Sequence, residues 1–443
     1  MRIVTWNVNG IRSLVKDSQS IERVFAQLKG DVVCFQESRI ALSEVYAALI
    51  PEGYDLFLTS CTRNPGYAGV CVYVRDSLLP NKVCLRIKEV MELLSVDERE
   101  SIEKEYDSLF ILECDEEGRV ILLEYENVFL LNVYFPAGTD DSEDRQEFRV
   151  QFYNLIRDFM ARLMKHKAHL FLLGDLNTAS GVLDSAYLEN DFVTNGFVDR
   201  FRAMSEWLDG LLLPTTISEG GLGMVDAFRV VHPTLRKAFT CFNTQLGARQ
   251  TNFGTRIDYI LCDASLKECI KDSITFRSLQ VGTCVMMAIV DITIELASNG
   301  TNVPGIRKIV GKQQKISTFF STKSIVKTKV TQPKETEESG HWTCELCTFR
   351  NEDTNTKCEM CGAKRRKRER NRNDDRIDRL FGGKRPMKRV PLCSGHHLPC
   401  VRRQVSKEGK NKGRFFYACP LPMGFSNDPK ARCNFFAWDD DVI

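Results

Sequence analysis

The chain has 443 residues with a formal net charge of +2; that is too long for one compact domain, and the balance of charge selects no partner by itself. No apolar run approaches membrane-spanning length, and the N-terminal MRIVTWNVNG lacks the basic and apolar regions of a secretory signal. A soluble intracellular protein without a membrane partner is expected.

Composition changes along the chain. Up to about Leu296, apolar runs alternate with helical patterns, enough for a sizeable core, whereas beyond it Lys, Arg, Ser and Thr dominate. Short apolar runs predict strands at Arg2 to Trp6, Val32 to Gln36, Gly69 to Val74, Val128 to Tyr134, Leu170 to Gly174 and Arg256 to Leu261. Ile21 to Leu28 reads as a short helix. Residues 85 to 127 contain an acidic, partly helical insertion around Glu98 to Tyr106. Between Glu147 and His166, Phe148, Phe152, Leu155, Ile156, Phe159 and Leu163 follow a helical period. This mixture predicts a layered α/β domain over residues 1–296.

Polar residues recur where predicted strands end: Asn7, Glu37, Tyr134, Asp175, Asn177 and Asp258. Singly, each reads equally as a turn residue or a surface side chain. Their recurrence places several carboxylates and amides at one sheet edge, a hard, oxygen-rich set suited to Mg²⁺ or Mn²⁺. Such a metal polarises a phosphoryl oxygen. Asp175 is the carboxylate chosen to generate the attacking hydroxide, and Tyr134 could assist or bind the phosphate. Metal-assisted phosphoester hydrolysis follows from residue types alone.

The strings WNVNG, FQES, NVYFPAG, GDLNT and TRIDYIL, in this order, resemble the exonuclease III family. That resemblance implies the endonuclease/exonuclease/phosphatase fold, a two-layer β-sandwich flanked by helices, here followed by a disordered linker and two small zinc-binding modules. The stretch AFTCFNTQLGARQTNFGTRIDYIL is similar to the AP endonuclease 2 branch, which implies AP endonuclease, 3′ to 5′ exonuclease and 3′ phosphodiesterase activity on damaged DNA in the nucleus. Carried over by position, the resemblance makes Glu37 a metal ligand with Asn7 alongside. Asp175 would orient or deprotonate the water, Asn177 and Tyr134 would contact the scissile phosphate, and Asp258 would support a catalytic histidine.

That histidine is missing. The family's closing Gly-Ser-Asp-His falls where this chain reads Gly282, Thr283, Cys284, Val285, so Cys284 and Val285 replace the Asp-His pair. Removing a comparable electrostatic group costs about 10² to 10³ in rate. Loss of activity, local replacement by another group and an error in the sequence all remain open. An intact enzyme and a non-catalytic adaptor linking clamp, ubiquitin and single-stranded DNA are the two main readings; a phosphoinositide or nucleotide substrate is a third.

The tail carries four features. In the polar stretch 297–340, Gln313, Ile316, Phe319 and Phe320 resemble the PCNA-interacting box, implying that residues 313–320 bind the sliding clamp. Over 341–364, Cys344, Cys347, Cys358 and Cys361 have the Cys-x2-Cys spacing of a structural Zn²⁺ site. That module resembles the RAN-binding-protein zinc-finger family, whose ubiquitin-binding members imply a ubiquitin contact at Thr348, Phe349 and Met360; other members bind single-stranded RNA. The basic linker 365–390, with the run Lys364 to Arg368 at its start, is a nuclear localisation signal, a phosphate-binding patch or a solvated connector. Over 391–440, the chain resembles the GRF zinc finger, which implies a second Zn²⁺ on Cys393, His396, Cys419 and Cys433 and leaves out His397 and Cys400. Arg402, Lys412, Arg414 and Phe415 supply the cation-plus-aromatic pattern suited to single-stranded DNA.

Overall fold

The computed structural model describes residues 1–15, 20–64, 66–138, 142–189, 204–212, 221–243, 246–275, 286–296, 298, 305–306, 341–343, 350–352, 390–405, 411–425 and 427–439. The chain divides into two compact units, Met1–Thr318 with Pro420–Cys433, and Phe319–Cys419 with Asn434–Ile443.

The first unit is built on two six-stranded sheets. One contains β1 (Arg2–Asn7), β2 (Val32–Gln36), β3 (Tyr54–Thr59), β4 (Val70–Arg75), β13 (Ile270–Thr275) and β14 (Met286–Ile292), in the order β13-β14-β1-β2-β4-β3. The other contains β5 (Lys82–Cys84), β6 (Val120–Glu124), β7 (Val128–Tyr134), β8 (His169–Asp175), β9 (Met224–Asp226) and β12 (Asp258–Asp263), in the order β5-β6-β7-β8-β12-β9. A separate hairpin pairs β10 (Cys241–Phe242) with β11 (Gly254–Thr255).

Both faces of the central strands are apolar because both are covered. Ile3, Val32, Cys34, Val72, Leu130, Phe171, Leu173 and Ile260 form the core between the sheets. Their neighbours Val4, Val33 and Phe35 point the other way, into a cluster with α1 (Ile21–Leu28). Helix α1 starts where the Ser20 side chain accepts the Arg23 N–H, and it buries Ile21, Val24, Phe25 and Leu28. On the outside of the second sheet lies α5 (Glu143–Leu163), burying Phe148, Phe152, Leu155, Ile156, Phe159 and Leu163. It begins four residues before the expected start, because its first turn is polar and gives no apolar period to read. The insertion forms α2 (Ile87–Met91), α3 (Val96–Glu105) and α4 (Ser108–Glu117), whose Ile87, Val90, Ile102, Phe110 and Ile111 join that outer core.

Two observations extend the sequence reading. Gly305 N–H donates to Asp55 (3.0 Å) and Ile306 is buried against the first sheet, beyond the expected domain end at 296. A lone apolar residue in a polar stretch carries no periodic signal. Residues Pro420–Cys433 also pack within the first unit. The remaining described residues form an antiparallel pair, β15 (His341–Thr343) with β16 (Arg350–Glu352), and a three-stranded antiparallel sheet of β17 (Val401–Gln404), β18 (Phe415–Ala418) and β19 (Phe436–Trp438). No described helix is long and apolar enough to cross a membrane.

Arg256, 1% exposed, fastens the start of β12: its guanidinium donates to both Asp184 oxygens (2.8 and 2.7 Å) and to Asp226 (2.5 Å). Burial alone would raise the Asp184 carboxyl, but Arg256 and Arg229 outweigh it and hold it below the usual range. Arg256→Met strands buried carboxylates and is expected to cost about 3–5 kcal/mol in urea unfolding at neutral pH. A depressed carboxyl stabilises above its unfolded value near 3.9 and ceases to as pH falls through its folded value. The deficit of Arg256→Met therefore narrows as the pH is lowered to about 4 and below; a pH-independent deficit would contradict the network.

Candidate active site

Register decides which side chains meet. Tyr134 on β7 pairs with Asp175 on β8, which pairs with Asp258 on β12, so three functional groups stand in one row across the second sheet. In the first sheet, Asn7 ends β1 beside Gln36 on β2, and Glu37 follows at once. Glu37 takes a left-handed backbone, φ 51°, which ends the strand there. Gly174 has φ 138°, and a Cβ there would drive into the Val133 carbonyl; only glycine lets β8 deliver Asp175 beside β7.

One amide ties the two sheets at this edge. Asn7 Nδ2 donates to Glu37 Oε1 (2.9 Å) and to Asp175 Oδ2 (2.8 Å), while Asn7 Oδ1 accepts the Asn9 N–H (3.1 Å). The Tyr134 hydroxyl donates to the same Glu37 oxygen (2.8 Å), and Arg39 reaches the other (2.5 Å). Asp175 Oδ1 accepts the Asn177 N–H (2.9 Å), and Asn177 Nδ2 is anchored on the Phe135 carbonyl (2.8 Å). Beneath them, Gln36 Nε2 donates to Thr5 (2.9 Å) and Asn132 (2.7 Å), a polar layer between the sheets. The structure thus brings Asn7, Glu37, Tyr134, Asp175, Asn177 and Asp258 together.

The electrostatics follow from burial. Asp175 is pushed up from the ordinary carboxylate range, first by burial and further by Glu37, against the Asn7 and Asn177 hydrogen bonds. Asp258 is raised well above that range by burial and then by Asp175. It is fully buried, the neighbouring Thr240 hydroxyl opposes the rise, and among the described residues no other group stands within hydrogen-bond reach of its carboxylate. Tyr134 is also raised, by burial and by Glu37, and stays a protonated donor. Cys284 and Val285 lie outside the described residues.

Several residues escaped the sequence reading. Arg119, 1% exposed, lies with its guanidinium 4.7 Å from the centre of the Tyr134 ring and donates to the Tyr134 carbonyl (3.1 Å) and the Tyr67 hydroxyl (2.8 Å). Glu117, from α4 of the insertion, pairs with Arg119 and with Arg145 (2.7 Å). Thr240 accepts the Ile257 and Asp258 N–H groups (3.1 and 3.3 Å). Of the supporting residues, Gln36, Asn132, Thr240 and Arg256 stood inside quoted strings without being singled out; Arg39, Arg119 and Tyr67 carried no local pattern.

In the C-terminal module the ligand atoms of Cys393, His396, Cys419 and Cys433 all lie within 4.8 Å of one another. His396 Nδ1 is 3.9 Å from the Cys393 sulfur and 3.5 Å from that of Cys419. These separations and donors fit a tetrahedral Zn²⁺ site. Although burial opposes it, the Leu398 and His396 N–H groups, with the His396 and Cys419 side chains, lower the Cys393 thiol to about 6. His397 and Cys400 are outside the group. On β17 and β18, Arg402 stacks 3.7 Å from the Phe415 ring centre but also faces Asp439 (2.8 Å), while Arg414 lies 4.0 Å from the Trp438 ring centre. Lys412 is exposed. Cys344, Cys347, Cys358, Cys361, Thr348, Phe349, Met360, Gln313, Ile316, Phe319 and Phe320 lie outside the described residues.

The sandwich and its polar edge define a class, and the chain belongs to the Endonuclease/Exonuclease/phosphatase family, whose pattern matches residues 4–270. The GRF zinc finger matches residues 391–442, and the Zn-finger in Ran binding protein and others matches 339–367. More particularly, the chain is similar along 99% of its length to DNA-(apurinic or apyrimidinic site) endonuclease 2 of Mus musculus, at 27% identity and 99% of that protein. An exodeoxyribonuclease of Bacillus subtilis is 30% identical over 62% of this chain and 92% of its own length. The crystal structure of the Xenopus laevis APE2 catalytic domain superposes with a TM-score of 0.55 at 26% identity, covering 68% of this chain and 94% of that one.

Asp258→Asn removes a buried carboxylate without changing shape. In metal-free protein at neutral pH it is expected to raise stability by about 1–3 kcal/mol. A raised carboxyl destabilises above its unfolded value, so the gain shrinks as the pH falls to about 4, where both side chains are neutral. Urea melts at both pH values decide it; a loss of stability at neutral pH would contradict the assignment.

Proposed function

We propose that the chain is a DNA-repair phosphodiesterase that cleaves at abasic sites and trims damaged or mismatched 3′ ends. The observation that carries this reading is the pair of carboxylates, Glu37 and Asp175, held 2.9 and 2.8 Å from one buried Asn7 amide at the joint of the two sheets. The relatives' names, an AP endonuclease 2 and an exodeoxyribonuclease, support DNA as the substrate.

The donor set fits Mg²⁺ or Mn²⁺, with Glu37 the solvent-reachable ligand and Asp175 on its buried side. When bound, the ion would polarise the scissile phosphoryl group and stabilise the leaving oxyanion. Asp175, with its raised proton affinity, takes the proton of the attacking water. The remaining Asn177 amide hydrogen donates to a phosphate oxygen, and the Tyr134 phenol turns its one hydrogen from Glu37 to another. Arg119 holds Tyr134 from behind, and Asn7 keeps the two carboxylates in register.

The tail is read as a set of tethers: residues 313–320 for the PCNA clamp, the first finger for ubiquitin, and Arg402, Lys412, Arg414 and Phe415 for single-stranded DNA, with two structural Zn²⁺ ions. A nuclear location follows from these partners and from the basic run at Lys364 to Arg368.

The deciding experiment compares Mg²⁺-dependent cleavage of a duplex carrying an abasic site or a recessed mismatched 3′ end by the full chain and its Glu37→Gln variant. Cleavage is expected to fall by about 10² or more in the variant and to vanish on chelation. Equal cleavage by both would contradict the reading; cleavage by neither, with single-stranded DNA binding kept, would favour the adaptor. For the tether, Lys412→Ala should lower the salt slope of single-stranded DNA binding by about 0.7.

A further inference from the structure

Strand register sorts the side chains of the β17–β18–β19 sheet onto two faces. Directly paired residues share a face, and successive residues alternate between faces. Arg402 pairs with Tyr417 and Gln404 with Phe415, so these stand on one side. Arg403 pairs with Phe416, which pairs with Trp438, and Phe436 stands two residues before Trp438 on β19, so these stand on the other. The ring contacts agree with that division: Arg402 lies on Phe415, whereas Phe416 stacks with Phe436 at 5.2 Å between ring centres and 26° between planes.

The two faces offer different rings. On the first, Tyr417 is buried, and the Phe415 ring is occupied by the Arg402 guanidinium, itself held by both oxygens of Asp439 (3.1 and 2.8 Å). On the second, Phe436 is 52% exposed. Its ring is nevertheless held still, with Phe416 stacked against it and Trp438 meeting it edge-on at 5.0 Å and 87°. The exposed Arg414 lies over the Trp438 ring, which brings positive charge to the same face. A rigid, open aromatic ring beside guanidinium groups is the arrangement that takes an unpaired base together with its phosphates.

We infer that Phe436 is the base-stacking platform of this module: a single DNA strand crosses the Phe436–Trp438 face, with one unpaired base on the Phe436 ring and its flanking phosphates against Arg403 and Arg414. The inference rests on the single-stranded DNA reading of the tether and names the face on which that tether acts. Every base has a flat π-face, so the platform is indifferent to sequence. In a duplex those faces are already stacked on their neighbours, so the ring selects single strands. The Arg402–Phe415 pair belongs to the opposite face, where the guanidinium already covers the ring and Asp439 adds a charge that repels phosphate.

The test is the fluorescence anisotropy of a labelled oligothymidylate strand titrated with the zinc-loaded full chain in the absence of Mg²⁺. Phe436→Ala is expected to weaken binding by about tenfold or more, and Phe436→Trp to keep it within about threefold. Phe415→Ala should lose less than Phe436→Ala. Equal binding by Phe436→Ala and the unmodified chain, or a larger loss in Phe415→Ala, would overturn the assignment of the face. No binding by the unmodified chain would refute the tether reading beneath it as well. A cross-link guards against misfolding of the variants: an iododeoxyuridine-bearing strand, irradiated in complex with the unmodified chain, should attach at Phe436 or Trp438. Attachment at Phe415 or elsewhere in the chain, with none at Phe436 or Trp438, would overturn the proposal.

Discussion

The structure depends on a confrontation of carboxylates. Asp258 stands directly across from Asp175, both buried from water, and the half-buried Glu37 approaches from the other sheet. Opposed like charges are unfavourable in a sheet, and local preference would never assemble them. They meet because the strands bearing them are packed on both faces, and slipping the register by one residue would exchange the inter-sheet set, such as Leu173 and Ile260, with the outer set, such as Leu172 and Leu261, and misfit both cores. Core burial fixes the register, and the register fixes the site.

What keeps the site defined is the hydrogen bonding around it. Asn7 spans Glu37 and Asp175, while Tyr134 and Arg39 complete the Glu37 carboxylate. Behind Tyr134, Arg119 connects to Glu117 and so to the inserted helices; the acidic insertion thereby holds the cation that backs the phenol. Behind Asp258, Arg256 and Asp184 fasten the strand, and Thr240 joins it to the β10–β11 hairpin. Arg119 and Arg256, each 1% exposed and paired, stand at the two ends of the row formed by Tyr134, Asp175 and Asp258.

Six of the twelve strands in the two sheets, β1, β2, β4, β7, β8 and β12, were legible as apolar runs with a polar end, and the positions of the six polar residues at those ends were legible with them; the other six strands were not named. Asn177 and Asp175 announced themselves after a glycine whose necessity the structure explains. Arg39, Arg119 and Tyr67 were not legible: their roles come from partners far away in sequence, such as Tyr67 with Arg119, 52 residues apart. The segment 420–433 shows a different limit. Its resemblance to the GRF finger pointed to a metal at its two ends, but Met423 and Phe425 in a short loop gave no sign of the surface that covers them.

Binding of Mn²⁺, followed by electron paramagnetic resonance in the zinc-loaded full chain at neutral pH, tests the central claim most directly, because it asks only whether the opposed carboxylates are a cation site. The account predicts binding that is lost in Glu37→Gln and retained when Arg402 is replaced by Ala. Equal Mn²⁺ binding by the unmodified chain and Glu37→Gln would contradict it.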